Sequence, residues 1–197
     1  MKEAILKALT EKGYKTFLRP YEVNIIGIRS SSLTPNVFND SIHVLYTDKE
    51  GQWQHEEFPA TTDPGTYWLK NPSNPQGTAI LKAGQYLNSH IMGMHRQKYL
   101  ALIQRGQVTV IRDAKRDGSL DFAGKEDTGF FGINIHRAMA KGVTKTIDKF
   151  SAGCQVFANG DDFNHFMQLC DRHRNLYGNS FSYTLVDEKL LPLAQAA

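Results

Sequence analysis

The sequence predicts a mostly β fold of the α+β class, in which a few helices are attached to a larger set of strands. Three observations lead to this prediction. Segments with alternating or continuous apolar residues, rich in β-branched and aromatic side chains, form two groups, at 23–60 and at 99–157. Pro, Gly, Asn and Asp separate these segments. Helical spacing is clear in only two stretches, 1–14 and a stretch that begins near Asp161.

The first group contains three predicted strands, VNIIGIRS (23–30), SIHVLYTD (41–48) and GQWQHEEFPA (51–60). The segment TDKEGQ between the second and the third predicts a hairpin turn. Residues 59–78 hold four of the seven prolines and two glycines. They therefore predict loops around one short strand, TYWLK (66–70).

The second group contains the predicted strands YLALIQRG (99–106), QVTVIRD (107–113) and the buried segment FFGINIHRA (130–138). Residues 113–122 predict a connection. Part of a calcium-loop pattern begins at Asp113, but Lys115 and Gly124 occupy its third and twelfth positions, so a turn explains the segment better. A loop, 139–150, then leads to SAGCQVF (151–157).

The clearest predicted helix follows this last segment. Phe163, Phe166 and Cys170 recur with helical spacing and form an apolar stripe together with Met167. Asp161 or Asp162 is the expected N-cap, and Gly178 is the expected stop.

Composition limits the possible functions. The chain has 197 residues, 41% hydrophobic and 22% charged, which suits one well-buried core. A net charge of +3, from 23 basic and 20 acidic residues, is too small to predict nucleic-acid binding. We find no apolar run long enough for a membrane span. Two cysteines are too few for a disulfide scaffold, and no spacing typical of a zinc site occurs, so we predict no metal and no cofactor.

One cysteine lies in a sequence that suits a nucleophile. Such a residue needs a neighbouring base and backbone N–H groups that face the developing oxyanion. Ser151-Ala152-Gly153-Cys154 provides a tight turn beside the thiol, and His136 ends an apolar strand 18 residues earlier. Taken singly, both residues also fit a structural role, because free cysteine is often buried as packing.

These residues resemble the active site of the L,D-transpeptidases of YkuD type, cysteine enzymes that modify bacterial peptidoglycan. That family has a His at a strand end, a loop of some fifteen residues, then Ser/Thr-x-Gly-Cys and a helix. It also has a T-P-x-G-x-(Y/F) turn, to which Thr62-Asp63-Pro64-Gly65-Thr66-Tyr67 is similar with one inserted residue. The resemblance covers roughly 40–170. The chain departs from the family at Arg137, at Ala152 and at Gln155-Val156.

The resemblance implies a β-sandwich or barrel with a few attached helices, one of them after the cysteine. It places the catalytic domain at 21–178, with a helical extension at 1–20 and a C-terminal extension at 179–197. Cys154 is then the nucleophile and His136 its base. Ser151 and Gly153 complete the catalytic set, because Ser151 contacts His136 or shapes the turn and the N–H groups near Gly153 and Cys154 hold the oxyanion.

The expected substrate is the stem peptide of peptidoglycan, attacked at the carbonyl of the diamino acid that precedes the terminal D-Ala. The candidate substrate-binding residues are Arg137, Tyr67, His95, Arg96 and Gln155. Hydrolysis of the thioacyl-enzyme, as carboxypeptidase or endopeptidase, is our first expectation. Transfer to an amine, as transpeptidase, is the second, and a non-catalytic wall-binding or structural module on the same fold is the third.

The N-terminal segment lacks the unbroken apolar run of a secretion signal, since Ile5, Leu6 and Leu9 lie between charges. We therefore expect a protein made in the cytoplasm that reaches the wall by release or delivery, as a phage endolysin or an injected toxin does. We predict neither a nucleic-acid partner nor an obligate protein partner.

Overall fold

The computed structural model describes residues 1–191 and confirms the mostly β, α+β prediction. The described part of the chain has eleven strands, three α-helices and one short 3-10 helix. The strands are β1 (Asn24–Arg29), β2 (Asp40–Thr47), β3 (Trp53–Thr61), β4 (Thr78–Leu81), β5 (Gly84–His95), β6 (Tyr99–Gln104), β7 (Val108–Asp113), β8 (Lys125–Gly129), β9 (Ile135–Arg137), β10 (Gln155–Phe157) and β11 (Phe181–Asp187). The helices are α1 (Lys2–Glu11), α2 (Thr66–Lys70), α3 (Gly160–Tyr177) and the 3-10 helix Glu188–Leu190.

Eight of the strands close into a barrel in the order β1-β11-β5-β6-β9-β10-β3-β2. Most neighbours are antiparallel, and the parallel contacts are β1 with β11 and β9 with β10. The predicted hairpin joins β2 to β3 in continuous register. A separate sheet, β4-β7-β8, contributes Leu81, Val108 and Val110 to the main core, so it packs against the barrel.

The helices cover different parts of the barrel. Helix α1 buries Ile5 and Leu9 completely against a cluster that includes Ile26 and Leu45, which fits its amphipathic spacing. Helix α3 follows β10, as expected, and buries Phe163 and other members of its apolar stripe in the main core. Within residues 1–191, no helix has both the length and the apolar character that a membrane span requires.

Helix α3 is capped by a different residue from the two that we predicted. Asn159, not Asp161 or Asp162, is the N-cap, and its side chain accepts a hydrogen bond from the N–H of Asp161 at 2.9 Å. The two aspartates occupy the first turn, where they complement the helix dipole. Gly178 ends the helix with a positive φ of 92°, as predicted.

The segment TYWLK is helix α2 rather than a strand, because Gly65 in the preceding turn starts a helical turn that buries Leu69. The buried segment at 130–138 is a strand only over β9, and the residues before it form a loop. Part of the range that we separated as a C-terminal extension, 179–197, is β11, which lies between β1 and β5 in the barrel. The last residues of that range, 192–197, lie outside the described chain.

The glycine of β1 allows a large side chain to fill the barrel. Gly27 lies beside Tyr183 of β11, which is fully buried, and a Cβ at Gly27 would overlap the tyrosine hydroxyl. That hydroxyl donates a hydrogen bond of 2.8 Å to Oε1 of Gln155, so it cannot move away without breaking this contact. A small residue is therefore required opposite the ring.

We expect Gly27→Ala to lower the free energy of unfolding by about 1–3 kcal/mol, the usual cost of overpacking a filled core. The matched control is Gly84→Ala on β5, where the nearest atom, Oη of Tyr86, lies at an ordinary contact distance of 3.7 Å. That variant should stay within about 0.5 kcal/mol of the parent. Urea unfolding measures both, and equal losses in the two variants would contradict this packing argument.

Candidate active site

The parallel contact between β9 and β10 brings the predicted nucleophile and base to one side of the barrel wall. Gln155 pairs with Ile135 and Val156 pairs with His136, so Cys154 is aligned with Asn134. Side chains alternate along strands, so His136 and Cys154 share one face, two positions apart. Ile135, which lies between Asn134 and His136 along the chain, belongs to the main core. His136 and Cys154 therefore lie on the face of these strands that is turned away from the core.

Cys154 is partly exposed, and its Sγ donates a hydrogen bond to the carbonyl of Gly132 at 3.3 Å. Burial raises the pKa of the Cys154 thiol above its ordinary value. The backbone N–H of Asn134 and the charge of Arg96 act in the opposite direction and favour the thiolate. The resting residue is therefore a protonated thiol beside two groups that can stabilise its anion.

His136 is buried and held in one tautomer. Its Nδ1 lies 2.9 Å from the carbonyl of Arg137, which can only accept, so Nδ1 carries the proton. Nε2 is then a free lone pair, and it is buried with no hydrogen-bond partner. Burial, followed by the effect of His95, lowers the pKa of His136 to about 3. The residue is thus a neutral imidazole whose basic nitrogen is unoccupied.

His95 lies against His136 and forms a second imidazole of the site. The two rings stack with centroids 4.2 Å apart and planes 22° apart, and Nδ1 of His95 is 3.2 Å from the side-chain amide of Asn134. From the sequence, His95 was a candidate substrate-binding residue. It is the buried last residue of β5, brought to the site by the β5–β6 hairpin.

The Ser-x-Gly-Cys turn is held by its own serine. Ser151 Oγ donates to the carbonyl of Cys154 at 2.8 Å and accepts from the N–H of Gly153 at 3.1 Å. Of the two roles open to Ser151, the structure therefore supports shaping the turn rather than contacting His136. Gly153 has a φ of 121°, and a Cβ there would collide with the carbonyl of Ala79, so no other residue fits.

This turn also decides which N–H group can hold an oxyanion. The N–H of Gly153 is already bonded to Ser151, contrary to the role that we predicted for it. The N–H of Cys154 makes no hydrogen bond to any residue in 1–191. The oxyanion donor that remains free is therefore the N–H of the nucleophile itself.

Gln104 fixes the loop that supplies the contacts of Cys154, and no pattern in the sequence indicates this role. Its Oε1 accepts from the N–H groups of Phe131 and Ile133, and its Nε2 donates to the carbonyls of Gly106 and Gly129. All four distances lie between 2.9 and 3.0 Å. The side-chain amide of Gln104 thus holds the residues on both sides of Gly132, whose carbonyl accepts the hydrogen bond from Sγ of Cys154.

The proline-glycine turn that carries part of the family resemblance lies against the nucleophile turn. The N–H of Gly65 donates to the carbonyl of Ser151 at 2.9 Å. Tyr67, two residues later, is exposed and packs edge-on against Trp68, and the ammonium of Lys149 lies 4.4 Å from its ring centre. Trp68, together with Ala152, lines a cleft of about 250 Å³.

Comparisons of the chain with protein-family models, with curated proteins and with solved structures find no match. The chemistry of the site therefore follows from the geometry of these residues alone.

Two other predicted substrate residues lie at the surface near the site. Arg137 borders a groove of about 450 Å³, where its guanidinium lies 4.3 Å from the ring centre of Tyr99 and 3.3 Å from Oδ1 of Asn164. Arg96 is exposed in the β5–β6 turn and adopts a positive φ of 48°. Its charge acts on both Cys154 and His136, so it contributes a positive field to the site.

Gln155 does not fit the substrate-binding role that we predicted. Its side chain is fully buried in the barrel, where Nε2 donates to the carbonyl of Gly153 at 3.2 Å and Oε1 accepts from Tyr183. These contacts leave it facing the interior. It is a structural link between the barrel core and the nucleophile turn.

The raised pKa of Cys154 predicts selective but pH-dependent alkylation. Iodoacetamide should modify Cys154 and spare Cys170, which is fully buried with a pKa well above its ordinary value. Because only the thiolate reacts, and the pKa lies above that of an ordinary thiol, the rate should rise about tenfold per pH unit from pH 6 to 8.5. Mass spectrometry of the intact protein measures the rate of modification, with Cys154→Ala as the control. A rate that levels off below pH 8 would contradict this reading and indicate a resting thiolate.

Proposed function

We propose that this protein is a cysteine-dependent peptidoglycan enzyme similar to the L,D-transpeptidases, and that it hydrolyses the stem peptide through a thioacyl-enzyme. The observation that carries the proposal is the free, buried Nε2 of His136 on the same face as Cys154. A buried polar nitrogen without a partner is costly unless it serves a purpose. A general base for the neighbouring thiol is a purpose that this position suits.

Acylation begins from a neutral pair. As Sγ of Cys154 attacks the carbonyl carbon, its proton passes to Nε2 of His136, and the N–H of Cys154 donates a hydrogen bond to the developing oxyanion. The C–N bond then breaks, and the leaving amine takes the proton back from Nε2. The product is a thioester between Sγ and the diamino acid, with His136 neutral again.

Deacylation uses the same two groups. Nε2 of His136 takes a proton from water as the water oxygen attacks the thioester carbonyl, and the C–S bond breaks to release a carboxylic acid. The thiolate recovers the proton from Nε2. We propose water as the acceptor because it requires no second binding site, whereas an amine acceptor would require one.

The surroundings favour the charge that develops during acylation. The N–H of Asn134 and the charge of Arg96 stabilise a thiolate at Cys154. An imidazolium at His136 keeps its Nδ1–H bond to the carbonyl of Arg137, which becomes stronger when the ring is charged. Burial opposes both ions at rest, so proton transfer is coupled to attack rather than completed beforehand.

Arg137 is the residue that we propose for binding a substrate carboxylate. Guanidinium matches carboxylate geometry, and stem peptides end in one. The ring of Tyr99 holds the guanidinium beside the groove, while its hydroxyl donates to the carbonyl of Arg137 at 3.2 Å. The tyrosine therefore positions both the cation and the carbonyl that orients His136.

Wild-type protein should remove one alanine from tetrapeptide-bearing peptidoglycan fragments or split a cross-link, as followed by product mass. Cys154→Ala should abolish turnover, because the nucleophile is lost. His136→Gln should lower kcat/KM by at least about 10²-fold, the usual contribution of a general base. The control Cys170→Ala alters the other thiol, in the buried stripe of α3, and should remain active if folded.

The other outcomes separate the alternatives. Products that gain an amino acid or a second stem would replace hydrolysis by transpeptidation with the same nucleophile. Binding of fragments without turnover by either wild type or Cys154→Ala would indicate a non-catalytic wall-binding module. If the fragments are neither bound nor turned over, peptidoglycan is rejected as the substrate.

The lowered pKa of His136 predicts an unusual pH profile. Because His136 protonates only near pH 3, it stays a free base as the pH falls through the ordinary imidazole range. From pH 8 to 5, kcat/KM should change less than about threefold. A base with an ordinary pKa of about 6.5 would lose about 30-fold between pH 8 and pH 5. Such a loss, measured with a fragment whose own groups do not titrate in this range, would contradict the assignment.

A further inference from the structure

A second group of chemistry-bearing side chains lies on the β2–β3 hairpin. His43 pairs directly with Glu57, and His55 pairs with Leu45, two residues along. Because alternate residues of a strand share a face, these three polar side chains lie on the same face of the hairpin. Leu45 on that face packs beneath α1, so the group lies at the edge of the α1 cluster and not among the residues of the Cys154 site.

The ligand atoms of this group are close together. Nδ1 of His43 is 2.8 Å from Nε2 of His55 and 3.8 Å from Oε2 of Glu57, and the three ligand atoms lie within 4.8 Å of one another. In the part of the chain that the structure describes, this is the one group of three or more His, Cys, Asp or Glu side chains with such spacing.

His43, the most buried of the three residues, makes a hydrogen bond through the ring nitrogen that does not face the other two. The His43 side chain is fully buried, and its Nε2 is 2.8 Å from Oγ of Ser41. When Ser41 accepts the Nε2 proton, Nδ1 of His43 presents a lone pair towards His55 and Glu57. Metal-binding histidines typically use their second nitrogen in this way, which fixes the ring and its tautomer.

We propose that His43, His55 and Glu57 form a binding site for a divalent transition-metal ion of the zinc type. Two imidazoles and one carboxylate are a set of three ligands that zinc accepts, with the fourth position left to water. Zinc–nitrogen bonds of about 2.0–2.1 Å in a tetrahedral arrangement need the two nitrogens about 3.3 Å apart. The imidazoles therefore have to separate by about half an ångström, exchanging one N–H···N bond for two metal bonds.

Solvent access and charge define how such a site would behave. Glu57 is half-exposed, at 53% of its side chain, so an ion can enter from solvent and a water can remain bound. The carboxylate offsets one of the two charges of the ion. Lys2 of α1 is near enough to act electrostatically on His55, which opposes a cation and sets the affinity below that of a fully anionic site.

The test is metal binding by the full chain in a Cys154→Ala background, which removes the exposed thiol as a competing ligand. Titration calorimetry with Zn²⁺ should give one site per chain, and Co²⁺ should give the visible absorption of a four-coordinate ion. His55→Ala and Glu57→Gln should each weaken Zn²⁺ binding at least tenfold. Both residues are partly or fully exposed, so the variants are expected to fold.

The opposite face of β3 provides a matched control. His165 of α3 lies 3.6 Å from Glu56, a histidine–carboxylate pair without a third ligand. His165→Ala and Glu56→Gln should leave the affinity unchanged, and Zn²⁺ should raise the Tm of these controls but not that of His55→Ala. The proposal is overturned if the background protein binds no Zn²⁺, or if the control variants lose as much affinity as His55→Ala and Glu57→Gln.

Discussion

The candidate site depends on the parallel contact between β9 and β10, two strands of three residues each. Parallel strands cannot be joined by a tight turn, so the chain between them, 138–154, makes an excursion before it returns beside His136. A backbone hydrogen bond holds each end of this contact. The N–H of Gln155 donates to the carbonyl of Asn134 at 2.9 Å, and the N–H of Ala138 donates to the carbonyl of Phe157 at 3.0 Å. So short a contact is stable only because closure of the barrel supports it on both sides.

Polar side chains inside the barrel also hold the turn that contains Cys154. Arg29 is buried against Asp63 at 2.9 Å and also donates to the carbonyl of Thr62 at 3.2 Å. Burial raises the pKa of Asp63 to about 6, against the lowering effect of Arg29. The N–H of Gly65, two residues after Asp63, donates to the carbonyl of Ser151, while Nε2 of Gln155 donates to the carbonyl of Gly153. Buried polar contacts thus hold the turn around Cys154 from two directions. A buried pair of this kind adds little net stability, but breaking it is costly, which suits a positioning role.

The sequence could predict the parts of the site that are adjacent along the chain. Cys154, its turn and the strand-end His136 follow a pattern that local sequence expresses, and the helix after them has clear periodicity. Gln104 reaches the site only through the β5–β6 hairpin, and nothing in its local sequence distinguishes it from a surface residue. His95 was predicted as a substrate-binding residue, but its stacking on His136 depends on the same hairpin and could not be predicted. Strand β5 itself was missed, because Asn88 has a positive φ and the pairing with β11 shifts register near Phe181, which interrupts the alternation. TYWLK was misassigned because five residues are too few to separate the two periods.

The two histidine pairs of this protein show how ring geometry determines chemistry. In His95–His136 the rings lie face to face at 4.2 Å, so their in-plane nitrogens do not point at each other, and Nε2 of His136 keeps its lone pair. In His43–His55 the centroids are 5.1 Å apart, and in-plane nitrogens meet at 2.8 Å. Stacking preserves a base for a third group, such as a thiol. Edge contact brings two nitrogens together as ligands of one ion. In our proposals the same residue type therefore serves proton transfer in one pair and metal binding in the other, because the strands that carry each pair set different ring orientations.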